Sequence, residues 1–355
     1  CLYQIMSILA WNLGIPESEH YIKKSVALLE SGILPHITRA SVLYTAAAYF
    51  GKKGKIDKAV SYVSRSLNEL TLVWQAYVRY LNDVRLMQIL YPTQMLFRSC
   101  YAIFRAYADI GVAYEKLLQF KALASLAGRE RNHILRHGEY DKSLLDEIRG
   151  VQDKIAILET GQMLRDTVDE YEETERKLRG LETKFAQQFP CSHVFADITL
   201  DKVKRVIPDN AVVIEYFFCE LDYNLQQPDK KTDTGDTGID IYIIRNDNSQ
   251  SGIKRITVSN GIAVLEDAYY FVNILQAESD GSASIEQIYE KDDVRIRLYQ
   301  NLVAPVLSHI QGAQDVYIAP DYNLVNLPFE ILSGEEEIRL GDNYSVVKIE
   351  CARDF

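Results

Sequence analysis

Residues Gln314 to Ser333 read QDVYIAPDYNLVNLPFEILS. An apolar run, Val316, Tyr317, Ile318 and Ala319, stops at Pro320-Asp321. The chain then turns apolar again through Leu324, Val325 and Leu327 into Pro328-Phe329-Glu330-Ile331-Leu332. Proline has no N–H to give a sheet and Asp favours a turn, so the dipeptide marks the end of a buried strand.

Upstream of this stretch the same grammar recurs. Ala211 to Phe218 (AVVIEYFF) is nearly continuous apolar sequence, which predicts a strand buried on both faces. Ile239 to Arg245 (IDIYIIR) and Ser251 to Val258 predict two more strands. Helical periodicity falls at about Ile262 to Leu275 and Asp293 to Ile310, on either side of a polar loop from Ala277 to Ala283. A short helix is expected over Ile198 to Arg205, begun by Thr199 or Asp201, with a turn at Ile207-Pro208-Asp209-Asn210. Asp222 to Gly238 reads as a polar surface loop. Strands alternating with helices predict an α/β sheet layered by helices.

The composition shifts at Phe189-Pro190, and before it the chain is helical. Leu43, Ala46, Ala47 and Phe50 share a helical face, Gly54-Lys55 form a turn, and Ala59, Val63, Ser66 and Leu67 share a second face. Large and small residues alternating where two helices meet is the pattern of a TPR hairpin. A looser copy precedes it: Ile5, Met6 and Leu9, a turn at Gly14-Ile15-Pro16, then Ser18, Ile22, Ser25 and Val26. The offset from Ser18 to Ala59 exceeds the TPR period of about 34 residues, so the copies read as degenerate. Trp74, Tyr77, Val78 and Leu81 form an aromatic core face. From Asp141 to Phe189 the period tightens to heptads: Leu144, Ile148, Val151, Ile155 and Leu158, then Leu164, Val168, Tyr171, Leu178, Leu181 and Phe185. That stripe predicts an antiparallel helical hairpin or a short coiled coil. The expected organisation is TPR-like repeats over 1–69, long helices and a hairpin over 70–189, and an α/β domain over 190–355.

Hydrophobic content of 47% and charged content of 25% in 355 residues fit a folded chain of more than one domain. The net charge of -11 argues against a nucleic-acid partner. Arg129, Arg131, His133, Arg136 and His137 make the only local basic patch, read as a solvated face. No apolar run reaches the roughly 20 residues that cross a bilayer, so no membrane partner is expected. Cys1, Cys100, Cys191, Cys219 and Cys351 lack metal-ligand spacing and read as reduced thiols of a cytoplasmic protein. The acidic residues Asp229, Asp233, Asp236 and Asp240 lack the spacing of a calcium loop and read as solvated. Gly51 to Lys55 (GKKGK) follows a helix and lacks P-loop spacing, so it reads as a helix–helix turn. No cofactor or metal is expected.

Taken in order, these segments resemble the TPR-CHAT family of bacterial proteins, whose CHAT domain is a caspase-like cysteine peptidase. Asp197 to Phe218 is similar to the family's opening helix, turn and first strand, and Ile239 to Asn246 to its second strand. Arg297 to Leu332 is similar to its helix, strand and L-P-F-E-x-L motif, and Tyr344 to Phe355 to its next strand and R-D turn. Ala113 to Arg131 is similar to the helix between repeats and peptidase. The resemblance implies an incomplete caspase-like sheet. It also implies a Cys–His dyad at strand ends, cysteine as nucleophile and histidine as general acid–base, aided by oxyanion-binding N–H groups. Both residues follow the R-D turn in the family, so the chain is expected to be a fragment that carries neither.

No residue is therefore assigned a catalytic, cofactor-binding or metal-binding role. Cys351, after Val346, Val347 and Ile349, mimics a strand-end nucleophile but falls in the family's non-catalytic turn. Cys219 could border a cleft, and a structural thiol is the plainer reading. His20, His36, His133 and His137 lie in the helical region and His193 at the junction. His309 ends a helix, where the dipole alone favours it. Glu220 and Asp222, beyond the first strand, would bias a cleft toward basic residues or simply be solvated.

The reading implied is the N-terminal portion of a TPR-CHAT cysteine endopeptidase. Its helical repeats would bind a protein partner and its peptidase domain would cleave a protein or peptide substrate. A non-catalytic scaffold with a degenerate CHAT domain is the alternative. A helical adaptor fused to a nucleotide-binding domain is weaker, because Cys219-Glu220-Leu221-Asp222 offers acid where phosphate needs N–H groups.

Overall fold

Ten residues, Ala211–Glu220, form strand β1 at the centre of a five-stranded sheet. It is joined by β2 (Thr237–Ile244), β3 (Ile253–Ser259), β4 (Asp315–Ala319) and β5 (Ser345–Lys348), in the order β3-β2-β1-β4-β5. The pairs β1–β2 and β2–β3 are antiparallel, and β1–β4 and β4–β5 are parallel. The computed structural model describes residues 17–31, 34–77, 83–121, 136, 141–160, 165–187, 198–220, 237–246, 252–335 and 338–352. Its chain divides into two compact units. One comprises Cys1–Leu70, Gln94–Lys121 and Ile198–Phe355, and the other Thr71–Thr93 and Ala122–Asp197.

The strands expected from sequence are present, and β1 is buried along both faces as its apolar run requires. On one face Val212, Ile214 and Tyr216 join Ile239, Ile241, Ile243, Val316 and Ile318 in an apolar core. Alternation sends Glu215, Phe217 and Cys219 to the other face, with Asp240 and Tyr242 of β2. Here the reading of Asp240 as part of a solvated acidic loop is wrong. Asp240 lies inside β2, opposite Phe217, and is fully buried. Its neighbours Asp229, Asp233 and Asp236 lie outside the described residues.

The helices begin with α1 (Ser18–Ala27), α2 (His36–Lys52) and α3 (Ile56–Tyr77). Leu43, Ala46, Ala47 and Phe50 of α2 and Ala59, Val63, Ser66 and Leu67 of α3 are all buried, as the hairpin pattern predicts. Gly54 turns the chain between them at φ 69°, a conformation that disfavours any side chain, so GKKGK is a helix–helix turn. The looser upstream copy, from Ile5 to Pro16, lies outside the described residues. Helices α4 (Asp83–Tyr107) and α5 (Ile110–Phe120) follow, and Asp109 caps α5 by accepting from the N–H groups of Gly111 and Val112.

In the second unit, α6 (Lys142–Thr160) and α7 (Arg165–Gln187) bury Leu145, Ile148, Val151 and Ile155 against Leu178, Leu181 and Phe185. The ion pairs Glu147–Lys177 and Lys154–Glu170, each 2.8 Å, make the hairpin antiparallel, as the heptads predict. Trp74 is buried and donates to Thr93 Oγ1 at 2.6 Å. Val78, Leu81 and the side chain of Tyr77 lie outside the description, as do Leu164 and all of the basic patch except Arg136, which is exposed.

Helix α8 (Leu200–Val206) is capped by Thr199, one of the two residues expected to begin it. Helices α9 (Gly261–Asp280) and α10 (Ile285–Leu298) cover the apolar face of the sheet. The helical pattern expected at about Asp293 to Ile310 is broken. A π turn at Tyr299–Val303 and a 3-10 turn at Ala304–Val306 precede Leu307–Ile310, because Pro305 has no N–H to return to Asn301. Beyond β4, the Leu327-Pro328-Phe329-Glu330 stretch forms only a 3-10 turn, Phe329–Ile331, with Leu327, Phe329 and Leu332 buried around it. Among the described residues no helix is long and apolar enough to cross a membrane.

The approach of α9 to β2 is set by one residue. A methyl group on Gly261 would meet the Gly238 backbone at 2.9 Å. Gly261→Ala is expected to destabilise the fold by about 1–3 kcal/mol in chemical denaturation. Gly150→Ala, exposed on α6 with nothing within 4 Å, should instead stabilise its hairpin by up to about 1 kcal/mol.

Candidate functional site

Parallel strands β1 and β4 bring their carboxyl ends together, with Glu215 in register with Ala319. Pro320 stops β4, and Asp321 then turns its carboxylate back to β1, accepting the Phe218 N–H at 3.0 Å. Arg98 of α4 reaches the same carboxylate with both terminal nitrogens, at 3.0 and 3.2 Å, and donates to the Phe218 carbonyl. Its guanidinium lies 4.5 Å from the Phe217 ring centre and 4.3 Å from that of Tyr322. Tyr322 holds φ at 49°, a left-handed conformation costing a non-glycine residue about 1–2 kcal/mol. Its ring gains the face of the arginine in return. Burial alone would raise the Asp321 pKa, but the Arg98 and Lys121 charges, with the bonds from Arg98 and the Phe218 N–H, hold it below the ordinary carboxylate value.

Two further ionic groups occupy the same face of the sheet. Lys121, just past α5, lies 3.3 Å from Glu215 and donates to the carbonyls of Tyr216 (2.9 Å) and Ala319 (2.7 Å). Tyr114 donates to Glu215 Oε2 at 2.6 Å, and burial followed by the Glu215 charge pushes its phenol well up. Arg105 grips Asp240 with two bonds, 2.5 and 2.6 Å, and Thr257 donates to the same carboxylate at 2.6 Å. Burial would lower the Arg105 pKa, yet the bonds and charge of Asp240 raise it. Between these groups the hydroxyls of Tyr101 and Tyr242 bond each other, and burial pushes the Tyr242 phenol up to about 12.

This arrangement fastens groups rather than reacting them. Each carboxylate is already paired with a cation and hydrogen-bonded, and each phenol is held protonated. A thiol needs an electropositive, accessible setting to ionise, and the described cysteines are buried. Burial pushes Cys100 up to about 12 and raises Cys219 strongly, against the opposing charges of Arg105 and Arg98. Cys219 is thus inside β1, not in a loop bordering a cleft, and Cys351 is fully buried. Among the described residues no cluster of His, Cys, Asp and Glu is suited to a metal.

No family model, curated protein or solved structure matches the chain.

The remaining sequence candidates are dispersed. Glu220 closes β1 and accepts from Ser99 at 3.4 Å, while Asp222 lies outside the described residues. His36 bonds Glu69 at 2.6 Å, His20 is exposed, and His133, His137 and His193 are not among the described residues. His309 is 2.8 Å from the Lys254 ammonium, and burial followed by the Lys254 and Arg245 charges lowers its pKa. The residues that do converge, Arg98, Tyr101, Arg105 and Tyr114 on helices and Lys121 just past one, went unread because they are 100 residues or more from most of their partners. One signal was present: Arg98, Tyr101 and Arg105 repeat at helical spacing within an apolar helix.

Breaking the Asp321 clamp leaves Arg98 buried and unpaired. Asp321→Asn is expected to lower stability at pH 7 by about 3 kcal/mol. The pKa of Asp321 is depressed on folding, so its contribution is complete above about pH 4 and is lost as pH falls through the lowered folded value. The variant's stability should consequently fall less steeply in acid than that of the wild type. Denaturation curves from pH 7 to pH 2 would show parallel acid limbs if the clamp were without effect.

Proposed function

We propose that the chain is the partner-sensing and framework portion of a CHAT-type cysteine endopeptidase, with the nucleophilic cysteine and its histidine supplied by residues outside it. The reading rests on the order of the segments in the sequence. The observation that carries it is the Arg98–Asp321 clamp, which ties a helix to the turn at the carboxyl ends of β1 and β4. Open α/β sheets hold their chemistry at such strand ends. The helical side of that clamp continues outward. Ser66 of α3 donates to the Ala40 carbonyl at 2.8 Å and sits 3.3 Å from Cys100 of α4, two residues from Arg98. A partner bound to the α2–α3 hairpin would act on the strand ends through this contiguous packing.

A scaffold role is the second reading, favoured by the burial of the described cysteines. The two are separated by assaying the full reading frame against candidate partner proteins. The peptidase reading expects cleavage that is abolished by iodoacetamide and by Cys→Ala at a strand-end cysteine outside this chain. The 355-residue chain alone should leave the same proteins intact, and native Cys100, Cys219 and Cys351 should resist alkylation. Thiol-independent binding without cleavage by the full protein would establish the scaffold instead. Hydrolysis by the 355-residue chain that is lost in Cys351→Ala would overturn both.

A further inference from the structure

We infer that the basic surface around the α2–α3 turn docks an acidic, extended segment of a partner protein. Lys52, Lys53, Lys55 and Lys58 fall within seven residues of sequence. The turn that carries them is closed by its own backbone, because the N–H groups of Gly54 and Lys55 return to the carbonyls of Gly51 (2.8 Å) and Phe50 (2.9 Å). Behind the turn the rings of Phe50 and Tyr62 stack, 5.5 Å apart and 14° from parallel. The ammonium groups of Lys55 and Lys58 lie 5.6 and 5.5 Å from the centre of the Phe50 ring. That of Lys53 lies 5.8 Å from Tyr49, and the Arg65 guanidinium 5.8 Å from Tyr62. Attraction to the ring faces gathers cations that mutual repulsion would otherwise splay.

Few carboxylates offset this charge. Residues 17–24 and 51–65 carry seven cations, Lys23 and Lys24 with the five already named, against Glu17, Glu19 and Asp57. Residues 1–16 carry no charged side chain. Glu19 is shared between Lys23 at 3.0 Å and Lys55 at 3.8 Å, and Asp57 sits in the first turn of α3, where the helix dipole favours it. Glu69, the next acid along α3, is taken by Arg39 and His36. Lys53, Lys58 and Arg65 are exposed, and among the described residues none has a carboxylate within 4 Å. The cluster from Arg129 to His137 is therefore not the chain's only basic patch. Lys58, Tyr62 and Arg65 share one face of α3, and the helical rise sets the two cations about 10 Å apart. Carboxylates on every third residue of a polyproline-type segment repeat at about that distance. A nucleic acid or an anionic membrane extends its charge far past two helical turns and would meet a chain whose net charge is -11. A short acidic segment would not. The inference rests on the partner-binding role proposed for the α2–α3 hairpin and not on the peptidase chemistry.

The test is fluorescence anisotropy of the whole chain with a labelled peptide of four Glu-Pro-Pro repeats, and with four Gln-Pro-Pro repeats as its uncharged match. Saturable binding of the acidic peptide is expected, about tenfold tighter than its match, and weakened about tenfold when salt rises from about 0.05 M to about 0.5 M. Lys58→Gln with Arg65→Gln, both exposed and expected to keep the wild-type melting temperature, should weaken it about tenfold. Arg149→Gln with Lys154→Gln, which removes the same charge from α6, should leave it unchanged. No saturable binding, equal affinity for the two peptides, a Lys58 and Arg65 variant that binds as the wild type does, or equal weakening by the α6 pair would each overturn the inference. So would tighter binding of a single-stranded oligonucleotide or of phosphatidylserine vesicles. Cleavage by the full reading frame is a separate readout. Peptidase activity without peptide binding removes this inference alone, and peptide binding without cleavage sustains it while the peptidase reading falls.

Discussion

The central strands of this sheet carry two carboxylates, Glu215 and Asp240, that water does not reach. An ion without solvent or a partner costs several kcal/mol in a protein interior, so the sheet cannot present this face unless cations cover it. Residues 94–121 supply them: Arg105 to Asp240, Lys121 to Glu215, and Arg98 to Asp321 at the strand end. That requirement explains why a stretch of helix some hundred residues upstream belongs to the same compact unit as the sheet. It also fixes register. A slip of one residue between β1 and β2 would turn Asp240 to the apolar face and carry an aliphatic residue toward Arg105.

The two faces consequently do different work. Beneath α9 and α10 the contacts are aliphatic and aromatic, and their strength follows the area removed from water. Against α4 and α5 the contacts are directional, with fixed bond partners, so the helices have one way to sit. Aromatic rings fill the space between the ionic groups: Tyr101 edge-on to Phe217 at 4.9 Å and Phe97 against Phe120 at 4.1 Å. Such packing excludes water and keeps the ion pairs in a medium where their mutual attraction is strong. Polar specificity on one face and apolar bulk on the other give the sheet both a unique register and its stability.

The sequence revealed what is local and periodic. The strand at Ala211 is legible because every residue but Glu215 in AVVIEYFF is apolar, and the hairpins because their buried residues recur at helical spacing. It revealed less where meaning depends on a partner far along the chain. Asp240 looks like one more acid in a polar stretch, and only the β1–β2 register places it opposite a helix bearing Arg105. Glu215 could have served as the clue, since a lone charge inside a doubly buried strand demands a cation somewhere else. Pro305 shows the limit of periodicity from the other side. Apolar spacing continues across it, but the missing N–H breaks the helix into π and 3-10 turns.

The segment from Asp321 to Gly334 is held by an arginine at each end. Arg98 seizes Asp321 where it leaves β4, and Arg295 seizes the Ser333 and Gly334 carbonyls where it emerges from the core. Between them Leu324, Leu327, Phe329 and Leu332 are buried, so the segment cannot shift at one end without disturbing the packing of the other. The Arg98 end faces the helical layer, and the Arg295 end is held by α10. The strand-end turn at Asp321 is thereby tied to two helices, to α4 through Arg98 and to α10 through Arg295. Any coupling between those helices is bounded by the free energy that distinguishes the positions of this one segment.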